Sequence, residues 1–203
     1  MIRKDIAGII LCGGKSSRML TNKALLKIGE LTIIEIIVAK LKSMFCEVII
    51  SANNVNDFTF LNLPIITDEY IHRGPLAGLH AAIKSSGTEK NFLISCDMPL
   101  ISSEMINFIA NYNSNKEIIL PEVNDNVQQL CGVYSKSVIT EIETIFNLSR
   151  SDKNIKGSVY ELLERVKTEI VDVEGFLFYD KNIFLNMNTP EDYELIKKIY
   201  EKK

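Results

Sequence analysis

Cysteine and histidine are both scarce in this chain of 203 residues, and neither is grouped for metal binding. Cys12, Cys46, Cys96 and Cys131 lie far apart, with no CxxC pair and no histidine nearby at ligand spacing. A cysteine-held zinc site and a disulfide framework are thereby excluded, and the thiols read as buried or incidental groups in a reducing compartment. Long apolar runs are also missing: nothing approaches the ~18 residues a membrane-spanning helix needs. The amino-terminal run from Ile6 to Cys12 is too short for a secretory core and is followed by glycines and basic residues, so a buried strand is expected there. Charge of one sign is absent as well, since 23 Lys plus Arg stand against 26 Asp plus Glu, for a net charge of −3. Bulk charge therefore gives no reason to expect a nucleic-acid partner. No repeat, low-complexity tract or long linker divides the chain. These absences leave a cytoplasmic location, with no membrane partner, as the expectation.

What is present is 46% hydrophobic residues, enough to bury a substantial core in one domain. Short runs rich in Ile, Val and Leu predict strands over Ile6 to Leu11, Glu47 to Ser51, Pro64 to Thr67, Phe92 to Cys96 and Ile118 to Leu120. Helical spacing predicts helices over Ile33 to Phe45, Leu76 to Ser85 and Ser103 to Asn111. Beyond Pro121 a strand is expected near Gln129 to Tyr134, helices near Val138 to Phe146 and Val159 to Val166, and a polar surface loop over Ser149 to Gly157. A strand near Ile183 to Met187 and a helix opening at Pro190 complete the expected order. Alternation of this kind implies an α/β fold: a single-domain, Rossmann-like, mainly parallel sheet with helices on both faces.

In such sheets ligands bind beyond the carboxyl ends of the strands, which directs attention to four segments. LCGGKSSRM, Leu11 to Met19, follows the first strand and is succeeded by Lys23. Adjacent glycines let backbone N–H groups approach an anion, and Lys15, Arg18 and Lys23 add positive charge, as a phosphate cradle requires. The GKS of Gly14 to Ser16 is not a P-loop, because that motif needs glycine where Ile9 stands. A tight turn with solvated lysines is the structural alternative. In ISCDMP, Ile94 to Pro99, the carboxylate of Asp97 ends an apolar strand, where binding Mg²⁺ against phosphate oxygens is its natural role and turn formation the alternative. Asp68 precedes HRGPLAG, His72 to Gly78, in which Arg73 could meet phosphate and Gly74 and Gly78 permit close approach. His72 and His80 read as surface or packed residues. In FLNMNTPEDY, Phe184 to Tyr193, Asn186 and Asn188 would share one side of a strand, or Asn188 or Thr189 would cap the last helix with Asn186 at a sheet edge. No GxSxG elbow or Ser, His and Asp grouping stands out, so chemistry by positioning and metal suits the residues better than a protein nucleophile.

Together LCGGKSSRM with Lys23, HRGPLAG, CDMP and LNMNTPED resemble the molybdenum cofactor guanylyltransferases, within the glycosyltransferase-A-like nucleotidyltransferases. The glycine-rich segment belongs to the broad group; GPLAG, CDMP and NTPED in this order are more specific. The resemblance runs from about Ile6 to the last helix. It implies transfer of GMP from GTP to molybdenum-bound molybdopterin, with release of pyrophosphate and a requirement for Mg²⁺. Leu11, Cys12, Gly13 and Gly14 would then hold the nucleotide, Arg18 and Lys23 would act on the triphosphate, and Asp68 with Gly74 and Gly78 would enclose the guanosine. Asp97 would hold Mg²⁺, while Asn186 and Asn188 would face the pterin. A nucleotide-binding part over about 1–120 and an acceptor-binding part over about 121–203 are expected, as are protein partners that deliver the cofactor or receive it into a molybdoenzyme. Departures from the family pattern fall at Cys12, Leu20, Asn22, Ser51 and Gln129, with Asn53 placed to substitute near Ser51. They leave open a related enzyme using CTP or another phosphorylated acceptor, and a non-catalytic nucleotide-binding module.

Overall fold

All six residues of β1 (Ile6–Leu11) are buried, and they divide by parity. Ile6 and Ile10 enter one apolar cluster, Ile9 and Leu11 another. Strand side chains alternate between faces, so an uninterrupted apolar run is what a strand covered on both sides requires. The same division holds for β4 (Val48–Ser51), where Val48 and Ile50 oppose Ile49, and for β6 (Lys90–Ser95), where Phe92 and Ile94 oppose Leu93.

The computed structural model describes residues 2–13, 22–152 and 155–202. After β1 come the small antiparallel pair β2 (Lys27–Ile28) and β3 (Leu31–Thr32), then α1 (Ile33–Met44), β4 and β5 (Ile65–Ile66). They are followed by α2 (Pro75–Ser85), β6, α3 (Ser103–Ala110), β7 (Ile118–Val123), β8 (Asn126–Val127) and β9 (Cys131–Ser135). The chain ends with α4 (Ile139–Ser151), α5 (Val159–Leu163), β10 (Thr168–Asp172) and α6 (Pro190–Tyr200). Strand order in the main sheet is β10-β7-β9-β6-β1-β4-β5, with β8 paired to β7. β1 runs parallel to β4 and β6, β4 to β5, and β7 to β10. β9 is antiparallel to both neighbours, so the expected mainly parallel α/β sheet carries one reversed strand near its middle.

One cluster gathers α1, α3 and α6 residues such as Ile37, Ile106 and Ile196; the other gathers Leu79, Phe146 and Leu162 from α2, α4 and α5. Burying such side chains contributes about 1.5–3 kcal/mol each, which fixes the helices against the sheet and the strand ends against one another. Among the described residues no helix is long and apolar enough to cross a membrane.

Several expected boundaries shift. α4 continues through Ser151, taking up the start of the polar Ser149 to Gly157 stretch, and α5 stops at Leu163. Residues 183–187 are not a strand. Turn bonds run from the N–H of Ile183 to the carbonyl of Asp180 and from Leu185 to Asn182, at 3.0 Å each. The segment is apolar because Ile183, Phe184 and Met187 plug the core from an irregular backbone, not because they line a ladder. Conversely β10 is an edge strand in which only Val171 is buried, and its polar alternation carries no strong apolar signal.

Candidate active site

At β1 the sheet order reverses: the crossover through α1 leads to β4 on one side, and the chain later returns through α2 to β6 on the other. Such a reversal opens a crevice at the carboxyl ends of the strands. Here those ends are tied together beyond the ladder. The Cys12 N–H donates to the Ser51 carbonyl at 2.8 Å, and the Cys96 N–H donates to the Leu11 carbonyl at 3.0 Å.

On the β4 side, Leu11, Ser51, Asp68 and Gly78 converge. A methyl group at Gly78 would lie 2.6 Å from Ser51 Oγ and 3.4 Å from both Asp68 Oδ1 and Leu11 Cδ2, so glycine lets α2 enter this corner. Gly74 caps α2 with φ of 64°, in a region that only glycine occupies without strain, and Pro75 then opens the helix. Asn53 holds Asp68 twice: its Nδ2 donates to Asp68 Oδ2 at 2.8 Å, and its Oδ1 accepts from the Asp68 N–H at 3.0 Å. A methyl group at Gly13 would meet nothing within 4 Å among the described residues. Gly14, Lys15, Arg18 and Leu20 lie outside the described residues.

On the β6 side, Asp97 is half-buried, and its Oδ1 is buried without a hydrogen-bond partner among the described residues. An unpaired buried carboxylate oxygen is costly unless a cation or donor meets it. The Asp97 carbonyl accepts from the Met187 N–H at 2.9 Å. Met187 in turn gives its carbonyl to Lys23 Nζ at 2.7 Å, and Asn188 Oδ1 accepts from the same ammonium at 3.0 Å. The residue 187 peptide thus joins Lys23 to the Asp97 loop across 164 positions of sequence. Asn22 supports Lys23 from behind, capping the short helical turn Lys23–Leu25 and donating from Nδ2 to Asp57 at 2.8 Å.

Two expectations from sequence change, and the reading of both histidines as surface or packed residues holds. Asn186 and Asn188 do not share a strand face, because the 185–188 backbone is irregular. The amide of Asn186 donates at 3.4 Å to the carbonyl of Phe184, whereas Asn188 engages Lys23. Arg73 donates to Ser149 Oγ on α4 at 2.7 Å, and a phosphate would compete with that bond. His80 is buried with Nε2 3.1 Å from Glu143 and its ring edge-on to Tyr70, a packed residue, while His72 is exposed.

Among the described residues no three His, Cys, Asp or Glu side chains group for a metal, so a cation here would rest on Asp97 with phosphate and water completing its shell. Beside it, the hydrogen bond with Cys96, burial and the negative charge of Asp97 push the Cys12 thiol well above its ordinary range. A thiol held protonated is a poor nucleophile, and the site is left to bind and align.

The MobA-like NTP transferase domain family matches residues 8–166, which include Asp68, Gly78 and Asp97. A Carboxydothermus hydrogenoformans protein named probable molybdenum cofactor guanylyltransferase is 34% identical over 202 residues, covering 98% of this chain and 99% of that protein. The chain is a MobA-like NTP transferase of the molybdenum cofactor guanylyltransferase family. A Clostridium perfringens relative with the same name as the first is 38% identical over 202 residues and 98% of either chain. The solved structure of a molybdopterin-guanine dinucleotide biosynthesis protein A from Archaeoglobus fulgidus shares the fold, with a TM-score of 0.79 at 22% identity over 97% of this chain and 100% of that one. As a family member the chain is a nucleotidyltransferase.

Proposed function

We propose that the enzyme transfers GMP from GTP to the molybdenum-molybdopterin cofactor, forming the guanine dinucleotide cofactor and releasing pyrophosphate. The observation that carries this reading is the junction of Lys23, Asp97 and Asn188 through the residue 187 peptide. It ties a cation and a polar amide to the loop that carries Asp97, whose Oδ1 is without a hydrogen-bond partner among the described residues. Relatives over nearly the whole chain are named probable molybdenum cofactor guanylyltransferase, which supports the reading.

In the reaction an oxygen of the acceptor's terminal phosphate attacks the α-phosphorus of GTP, and the bond from that phosphorus to the bridging oxygen breaks, releasing pyrophosphate. The attacking phosphate is already ionised, so no catalytic base is needed and alignment with charge stabilisation does the rest. Leu11, Cys12, Gly13 and Gly14 would line the nucleotide, while Asp68, braced by Asn53, and the Gly74 to Gly78 segment would enclose the guanosine. Lys23, with Arg18, would neutralise the outer phosphates and the departing pyrophosphate. Asp97 would hold Mg²⁺, whose bound form supplies charge neutralisation on the phosphate oxygens. Asn188, with Asn186 nearby, would face the acceptor. On this reading residues of about 1–120 bind the nucleotide and those of about 121–203 the acceptor, and the Lys23 to Asn188 contact spans the two.

Supplying the protein with Mg²⁺, the molybdenum cofactor and each nucleoside triphosphate in turn tests the assignment. Pyrophosphate release with GTP is expected; release with CTP but not GTP overturns the choice of base. Tight GTP binding without release under any acceptor would instead point to a non-catalytic module.

A further inference from the structure

β6 ends at Ser95, and the loop that follows it is poorly held by its own backbone. The Met98 N–H reaches the Ser95 carbonyl at 3.3 Å and the Ile101 N–H reaches the Met98 carbonyl at 3.4 Å, both at the long end for hydrogen bonds. Asp97 sits in this loop. Three elements hold it from outside: β1 through the Cys96 N–H, the 183–188 segment through the Asp97 carbonyl, and α1 through Lys40. The Lys40 ammonium donates to the carbonyls of Pro99 and of Ile101, each at 2.8 Å. Both residues are buried, and the chain there has left the sheet, so no ladder partner serves these carbonyls. Charge-assisted bonds are the stronger kind, and this pair spans the turn two to four residues beyond Asp97.

On α1, Lys40 is half-buried, following the buried Ile36, Ile37 and Val38 and preceding the buried Leu41. A lysine aimed at two carbonyls fixes the loop's path. The orientation of a metal-binding carboxylate depends on such supports, since misplacing it by a fraction of an ångström separates it from the cation and the phosphates together.

We infer that Lys40 is a positioning residue for the cation site: it pins the loop after β6 and, with it, the Asp97 carboxylate. The inference rests on the reading that Asp97 holds the divalent cation.

Mn²⁺, a cation that oxygen ligands accept and that is visible by electron paramagnetic resonance, is titrated into the full chain with GTP present. Wild type, Asp97→Asn, Lys40→Met and Lys40→Arg are compared. Asp97→Asn is expected to lose tight Mn²⁺ binding, and Lys40→Met to weaken it about tenfold, the scale typical of a lost supporting contact. GTP affinity without metal should stay unchanged in Lys40→Met. Lys40→Arg, which keeps a charged donor for the carbonyls, should recover most of the Mn²⁺ affinity. A merely structural lysine would lower the thermal midpoint of Lys40→Met and leave Mn²⁺ affinity at the wild-type value. Loss in Asp97→Asn with wild-type or tighter binding in Lys40→Met overturns the inference. Wild-type binding in Asp97→Asn overturns the metal reading beneath it, and the inference with it. If Lys40→Met does not fold, Lys40→Gln replaces it, with weakened binding expected and wild-type binding overturning.

Discussion

Lys23 carries two duties that its neighbours make visible. Its ammonium is bound to the Met187 carbonyl and to Asn188 Oδ1, yet it starts a turn next to the crevice where a triphosphate would lie. An ammonium has three N–H donors, so two protein bonds leave one for an anion. Lys23→Ala is therefore expected to weaken GTP binding roughly tenfold, as for loss of one charge-assisted hydrogen bond, and to leave GMP binding nearly unchanged. Calorimetric titration with GTP and GMP checks this; equal losses for the two nucleotides would contradict a cradle aimed at the outer phosphates. Asp97 stood out in sequence because a carboxylate ending an apolar strand is hard to explain by packing, Asp68 because it precedes the HRGPLAG segment. Asn53 stood out only as a substitute near Ser51, not as the brace of Asp68, and Lys40 did not stand out at all. Lysine in a helix ordinarily marks a solvated face, and the partners of Lys40 are 59 and 61 positions away.

At the scale of elements, the start of α6 controls the same corner. Asp192 Oδ2 accepts from the N–H groups of Asn188 and Thr189, both at 2.8 Å, and the Thr189 hydroxyl accepts from the Asp192 N–H in return. Those backbone bonds, Asn188 first, hold the Asp192 carboxyl below its ordinary value. A depressed carboxyl value stabilises the fold fully above the unfolded value near 4, and that stabilisation is lost as pH falls through the folded one. The urea midpoint of wild type should thus exceed that of Asp192→Asn by a constant amount at neutral pH, and the gap should close as pH drops below about 4. A gap independent of pH down to about 2.5 would show that the charge has no part in the cap. This helix was readable from Thr189 and Pro190, since capping is local chemistry. The preceding segment was not. Ile183, Phe184 and Met187 look like a strand in composition, whereas turn bonds to Asp180 and Asn182 and the long-range bonds of Met187 to Asp97 and Lys23 set their path.

For the whole molecule, the mainly parallel architecture was readable because β1, β4 and β6 are buried on both faces and show it as unbroken apolar runs. The reversal of β9 and the edge position of β10 were not, because strand direction and partner choice arise from crossovers that leave no local trace. A net charge of −3 argues against nucleic acid, yet it says nothing against a triphosphate. On the proposed reading Lys23 supplies positive charge locally, and Lys15 and Arg18 precede it closely in sequence, outside the described residues. The account makes Asp97 the carboxylate on which transfer depends and denies it any part in the core. The direct measurement is Mg²⁺-dependent pyrophosphate release from GTP with the molybdenum cofactor, in wild type and in Asp97→Ala, alongside their thermal midpoints without metal. The prediction is that release is abolished in the variant while the midpoint is essentially kept; full Mg²⁺-dependent release from Asp97→Ala would contradict it.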